Sequence, residues 1–221
     1  MSLENRQTVT CPHCGKTGAL TVWQSINVQL NPEAKKSLMD GSLFNYECEE
    51  CGNKMLLAYD VLYHDMEKKV MIQCAEKDEV VKSAISSWQG MLGNEPLAKA
   101  NKDYRMRIVR NPNELREKVY IFDHKLDDRA IELMKVIIYT QLKSQNQDMN
   151  IDHIYLSLTE EGPTEFAVGL HDNKWGKVKF MQGMYDDIVS GIMGKVDETK
   201  AEYIIDTGWA LDFLKENAPQ S

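Results

Sequence analysis

At 221 residues, with 43% hydrophobic and 27% charged side chains, the chain has room for one large domain or two small ones and the composition of a globular protein. Its formal net charge of −8 disfavours nucleic acid as a partner, since that binding is driven by a basic surface that neutralises phosphates. No apolar run approaches the ~18 residues of a membrane span, because Val136-Ile137-Ile138-Tyr139 lies between Lys135 and Lys143.

The N-terminus lacks a basic-then-apolar-then-small pattern, so no secretory signal is expected and the cytoplasm is the expected location. The opening Met1-Ser2-Leu3 is given no structural weight. Leu20, Val22, Ile26, Val28 and Leu30 then fall mainly on one parity and predict strand. Asn31 is placed to cap a short helix with Pro32 at its first position, and Asp40-Gly41 to stop it. A strand through Leu43-Phe44-Asn45-Tyr46 follows. Residues 54–63 and 69–75 predict a hairpin with His64-Asp65-Met66-Glu67-Lys68 at its tip and Val70, Ile72 and Cys74 on one face of the second arm. Val80, Val81, Ala84, Ile85, Trp88, Met91 and Leu92 recur at helical spacing, and Gly93-Asn94-Glu95-Pro96 ends that helix.

Beyond it a strand is expected over 104–110, then helices over about 112–122, with Asn111 before Pro112, and about 127–145. Strands near 152–158, 164–171 and 175–180 precede a helix carrying Met181, Met184, Tyr185, Ile188, Val189, Ile192 and Met193. A short strand at Tyr203-Ile204-Ile205 and a helix over about 207–216 close the chain. The pattern is α+β. It divides into a β-module with an inserted helix over 1–95, a mainly helical continuation over 96–147 and a C-terminal α+β region over 148–221.

Two pairs read Cys-x-x-Cys-Gly: Cys11-Pro12-His13-Cys14-Gly15 and Cys48-Glu49-Glu50-Cys51-Gly52. Two cysteines three apart on a tight turn can aim both sulfurs at one tetrahedral ion, and two such turns complete its four ligands. Glycine after the second cysteine permits the positive φ such a turn favours. The separation of the pairs exceeds the usual short spacing, and the helix from Pro32 to Asp40 accounts for the excess as an insertion. The rival is redox chemistry, since Cys-Pro-His-Cys is also an active-site tetrapeptide of oxidising thioredoxin-fold enzymes. That chemistry needs the first cysteine at a helix N-terminus, whereas Gly15 to Val28 predicts turn and strand. Zinc with a structural role is the expected cofactor, which makes the β-module of residues 1–95 zinc-ribbon-like. His13 is surplus to four thiolates. Residues 1–75 carry 7 Lys+Arg against 9 Asp+Glu, so this segment offers no basic footprint for nucleic acid.

These knuckles, with Tyr63-His64-Asp65-Met66-Glu67-Lys68, Leu115-Arg116-Glu117-Lys118 and Leu126-Asp127-Asp128-Arg129, resemble the bacterial CpXC-domain proteins from about residue 9 to about 142. The resemblance implies a metal-binding module of unassigned activity and carries over no catalytic residue. Glu49 stands where the family motif suggests proline, while the ligands and Gly52 are kept.

His64-Asp65, Asp123-His124, Asp152-His153 and His171-Asp172 place histidine beside aspartate, but sequence neighbours on a strand point to opposite faces. Turns and strand ends account for them. The methionines of residues 181–193 read as core, and Glu132 and Lys135 as ion pairs on a helix whose first turn holds Asp127 and Asp128. No Gly-x-Ser-x-Gly elbow, phosphate loop or dinucleotide fingerprint occurs. The expected function is a zinc-stabilised interaction module whose partner is a protein. Its candidate contact surface comprises His64, Asp65 and Glu67 together with Asp127, Asp128 and Arg129, charge gathered at turns. The alternative is an enzyme whose active site, away from the zinc, lies in a cleft between the N- and C-terminal parts.

Overall fold

The computed structural model describes residues 2–157, 162–192, 194–196 and 202–218. The chain forms two compact units, residues 1–116 and 117–221. Among the described residues no helix is long and apolar enough to cross a membrane.

The first unit is built on a five-stranded sheet in the order β1 (Leu3–Thr10), β2 (Thr17–Asn27), β5 (Val61–Asp65), β6 (Val70–Cys74) and β7 (Arg105–Val109). The β1–β2 and β5–β6 pairs are antiparallel and the β2–β5 and β6–β7 pairs parallel. Parallel neighbours require crossover connections. Between β2 and β5 the crossover holds α1 (Pro32–Asp40) and the small antiparallel hairpin β3 (Asn45–Glu47) and β4 (Lys54–Leu56). Between β6 and β7 it holds α2 (Asp78–Leu92) and α3 (Glu95–Asn101). The core takes Val22 and Ile26 from β2, Val61 and Tyr63 from β5, and Val70, Ile72 and Cys74 from β6, all buried.

Several expectations need correction. Ser2 and Leu3 belong to the fold: Leu3 opens β1, and the Asn27 N–H donates to Ser2 Oγ at 2.8 Å. Residues 42–44 form a 3-10 turn, so the strand begins at Asn45. Residues 54–56 pair with β3, which shortens the second hairpin to β5–β6 with its turn at 66–69. Glu95 and Pro96 begin a helix where a stop was expected, because Asn94 Oδ1 accepts from Leu97 N–H and proline suits a first turn. Asn31 precedes α1 but turns its side chain to Glu33 Oε1, at 2.8 Å, instead of capping. Gly41, at φ 84°, does end that helix.

The second unit contains most of α4 (Pro112–Asp123), then α5 (Asp128–Gln145), a three-stranded antiparallel sheet, α6 (Gln182–Ile192) and α7 (Thr207–Glu216). The sheet runs in the order β10 (Trp175–Lys179), β9 (Glu165–Leu170), β8 (Ile151–Leu156). Ala130, Leu133 and Val136 of α5 pack with Ile192 and Ala210, and Tyr185, Ile188, Val189, Trp209 and Phe213 close the cluster. Tyr185, Ile188, Val189 and Ile192 of α6 are thus core, as their spacing predicts, but Met181 precedes the helix and is exposed and Met184 is only half-buried. Met193, at the predicted end, lies outside the described residues, as does residue 158 of the predicted strand. Tyr203–Ile205 is not a strand. Tyr203 and Ile205 are buried, and the Ile205 carbonyl accepts from Lys118 Nζ at 2.6 Å, so a side chain satisfies backbone that a ladder was expected to satisfy.

Candidate metal centre

The two Cys-x-x-Cys-Gly segments are the turns of two hairpins, one joining β1 to β2 and the other joining β3 to β4, and they close in the same way. Cys11 N–H donates to Lys16 O at 2.8 Å and Gly15 N–H to Cys11 O at 2.9 Å. Cys48 N–H donates to Asn53 O at 2.9 Å and Gly52 N–H to Cys48 O at 2.8 Å. Gly15 and Gly52 have φ of 71° and 67°, a region that strains any side chain with a Cβ.

The hairpins meet through Tyr46, Cys11 and Cys48, with Val9, Leu20, Met55 and Leu57 around them. A Cβ on Gly18 would fall 2.0 Å from Tyr46 Oη, so only glycine there lets the β3 tyrosine lie against β2. That apposition sets four sulfurs together. Cys11 Sγ and Cys51 Sγ are 3.7 Å apart, Cys14 Sγ and Cys48 Sγ 3.6 Å, and all four lie within 4.8 Å of one another. A tetrahedron of sulfurs at the Zn–S length has edges of about 3.8 Å. The cluster is therefore a candidate metal-binding site with the geometry of a structural zinc centre. Cys11 and Cys48 are buried, Cys14 and Cys51 exposed at the rim.

Electrostatics point the same way. The Cys14 backbone N–H, with that of His13, draws the Cys11 thiol down to about 6 against burial. At Cys51 the Asn53 backbone N–H also lowers the value, but burial and the three neighbouring sulfurs outweigh it and push the thiol up to about 12. Four thiolates this close repel one another, and a bound divalent cation removes the conflict. Burial, then the charges of Cys48 and Cys11, raises Tyr46 above the ordinary phenol range. No helix follows Cys11; the chain turns into β2, so the helix N-terminus that activates a redox Cys-x-x-Cys is missing here.

The other candidate residues divide between the units. In the first, Asp65 is buried: Gln29 Nε2 donates to its Oδ1 at 2.9 Å, Lys68 N–H at 3.1 Å, and Lys35 Nζ lies 3.7 Å from Oδ2. It pins the β5–β6 turn from inside. His64 Nε2 lies 2.9 Å from Tyr104 Oη, and burial lowers its pKa. Glu67 is exposed beside Met66, itself 42% exposed. In the second unit, Asp127 caps α5 by accepting from Arg129 N–H at 2.9 Å and holds the Arg129 guanidinium at 2.7 Å.

Asp128 faces inward, into a network of which the sequence reading gave only the Glu132–Lys135 ion pair, missing its burial and the part played by Glu117 and Lys118. Lys118 Nζ reaches Asp128 Oδ2 at 3.1 Å and Glu132 Oε1 at 3.2 Å. Lys135 Nζ reaches Glu132 Oε1 at 3.0 Å and Glu117 Oε2 at 2.7 Å, and Glu117 Oε1 accepts from Leu156 N–H at 2.6 Å. All five are buried. Burial raises Glu117 against the pull of Lys135. It also opposes ionisation of Glu132, but Lys135 and Lys118 prevail and lower that pKa. A signal was available: Val119-Tyr120-Ile121-Phe122 is apolar all round, and a helix of that kind is enclosed along with its charges.

A groove of about 340 Å³ in the second unit is lined by Tyr139, Lys143, Met149, Asn150, Ile151, Asp152 and His171. His171 Nδ1 lies 3.5 Å from Asp152 Oδ2, both exposed. The contact joins β8 to the residue just past β9 at the open end of their hairpin, where Ile151 pairs with Leu170, and not sequence neighbours, whose side chains alternate between faces.

A ribbon-like pair of cysteine knuckles, with a helix inserted between them and a sheet behind, defines a class of small metal-binding modules. The chain belongs to the CpXC protein family, whose profile matches residues 9–135. No curated protein and no solved structure was found to match it. The matched segment contains both knuckles and all five residues of the buried network, and ends before β8.

Proposed function

We propose that the protein is an interaction module held in shape by one zinc ion on Cys11, Cys14, Cys48 and Cys51, working in the cytoplasm on a protein partner. The observation that carries this is the mutual approach of four sulfurs at tetrahedral spacing. When bound there, the ion supplies a cross-link between two hairpins and no open coordination position. The cysteines are therefore assigned to structure, and recognition to side chains elsewhere.

We assign two recognition segments, each within its own unit: His64 and Glu67 at the β5–β6 turn of the first, beside exposed Met66, and Asp127 and Arg129 at the start of α5 in the second. Asp65 and Asp128 support these segments from within. Turns held by buried anchors suit recognition, because the scaffold fixes them before the partner arrives.

Metal analysis of the purified chain tests the first part, with about one zinc per chain expected. Cys48→Ser should release the metal. Protein that is folded, metal-free and disulfide-bonded through Cys11 and Cys14 would overturn the assignment. For the second part, Glu67→Arg should keep zinc content and melting temperature, since exposed charges contribute about 0–1 kcal/mol. The same variant should lose capture of a partner that the parent protein retains. Unchanged capture would remove Glu67 from the surface.

A further inference from the structure

The three-stranded sheet of the second unit has two edges in different states. At β8, Glu117 Oε1 accepts the Leu156 N–H at 2.6 Å, and α5 packs against the strand. At β10, among the described residues, no strand pairs on the outer side. The phase of the ladder shows which groups are left there. Leu170 N–H donates to Lys174 O at 2.9 Å and Phe180 N–H to Thr164 O at 2.9 Å. With Gly176 opposite Val168 and Val178 opposite Phe166, the alternation of antiparallel pairing turns Gly176 and Val178 toward β9. The N–H and C=O of Trp175, Lys177 and Lys179 point away from the sheet.

The side chains of these three residues share one exposed face. Trp175 is 61% exposed, and its ring lies over Gly169, where an added Cβ would come within 3.1 Å of it. Lys177 carries its own counterion, Glu165 at 2.6 Å. Lysine on an edge ordinarily protects it from pairing; here one lysine is already neutralised and the other is two places from it, four from an aromatic ring.

We propose that β10 is a self-association edge that takes β10 of a second copy, antiparallel and centred on Lys177, merging two three-stranded sheets into one of six. The strand is complementary to itself in this register. Trp175 stands opposite Lys179 of the second copy and Lys179 opposite its Trp175, giving a cation–π pair at each end. The three outward-facing positions meet as hydrogen-bonded pairs, about six backbone bonds in all. The two central lysines oppose each other with Glu165 beside each, so positive charge does not stand alone across the axis. A second copy is the occupant because, in this register, it brings an ammonium to each exposed ring and a ring to each Lys179, while each Lys177 keeps its own Glu165. The contact is small, so the dimer is weak and concentration-dependent.

Sedimentation equilibrium of the full chain from about 10 μM to about 1 mM tests this. The average mass should climb toward twice that of one chain. Lys179→Glu puts a carboxylate against the negative face of the indole and should weaken association about ten-fold. Lys177→Pro removes an outward N–H that the internal ladder does not use, and should abolish it. Should that proline variant fail to fold, Lys179→Glu, altered only at an exposed side chain, decides the matter. A chain that stays monomeric throughout, or a dimer that Lys179→Glu leaves unchanged, overturns the proposal.

Discussion

Cys74 shows how far residue type alone carries. It has the same thiol as the four clustered cysteines, yet it sits 3% exposed in β6, where burial first, then the charges of Glu114 and Asp60, push its pKa up to about 12. A thiol so placed behaves as a small hydrophobe. In native protein it should react with a thiol reagent far more slowly than free cysteine, and denaturant with chelator should expose all five thiols. Rapid native labelling assigned to Cys74 by peptide mapping would show that β6 opens. Its inward direction is legible because Val70, Ile72 and Cys74 alternate, and so are the knuckle cysteines, whose spacing is local. Asp65 and Asp128 are not legible in this way. Both look like turn charges until Gln29 and Lys35 are found closing on one and Lys118 on the other, and the residues beside each aspartate do not name those partners, although the apolar run 119–122 marks Lys118 itself as enclosed.

At the scale of elements, helices and alternating strands declare themselves, while irregular connections do not. Val81 and Trp88 of α2 are buried seven residues apart, as the periodicity demands. The segment 203–205 has the composition of a strand but is satisfied by Lys118 instead of a neighbouring strand. That lysine ties α4 to α5 and to the approach to α7, within one unit. Replacing it with methionine keeps the volume but leaves Asp128 without its ammonium and the Ile205 carbonyl without its donor. Removing one partner from a buried set costs about 3–5 kcal/mol, which should appear as a lower urea midpoint for the second unit. The network also predicts an acid limb. Glu132 is held below its ordinary value of 4.5, so its contribution is present above pH 4.5 and is lost as pH falls through the lowered folded value. Stability of the second unit measured against pH should fall in that range, and Glu132→Gln should flatten the fall.

Over the whole molecule, charge and chemistry are divided between the units. Residues 1–116 hold 15 Lys+Arg and 15 Asp+Glu, whereas residues 117–221 hold 11 and 19, so the whole net charge of −8 belongs to the second unit. The cysteine cluster belongs entirely to the first, and the buried ion network entirely to the second. The hairpin β3–β4 has little else to hold it: its local core is Cys11, Tyr46 and Cys48 with a few partly buried neighbours, and an isolated two-stranded hairpin is marginal in water. Zinc binding provides on the order of 10–16 kcal/mol in small finger peptides, so its loss should release both knuckles. Hydrogen exchange with and without a strong chelator measures this. Amides of residues 9–20 and 45–57 should lose protection by several orders of magnitude, because their hydrogen bonds depend on the cross-link. Amides of residues 131–138, in α5 behind its ion pairs, should keep theirs. Loss of protection in α5 at the same chelator concentration would mean that the two units unfold as one cooperative body, and that the metal supports the second as well as the first.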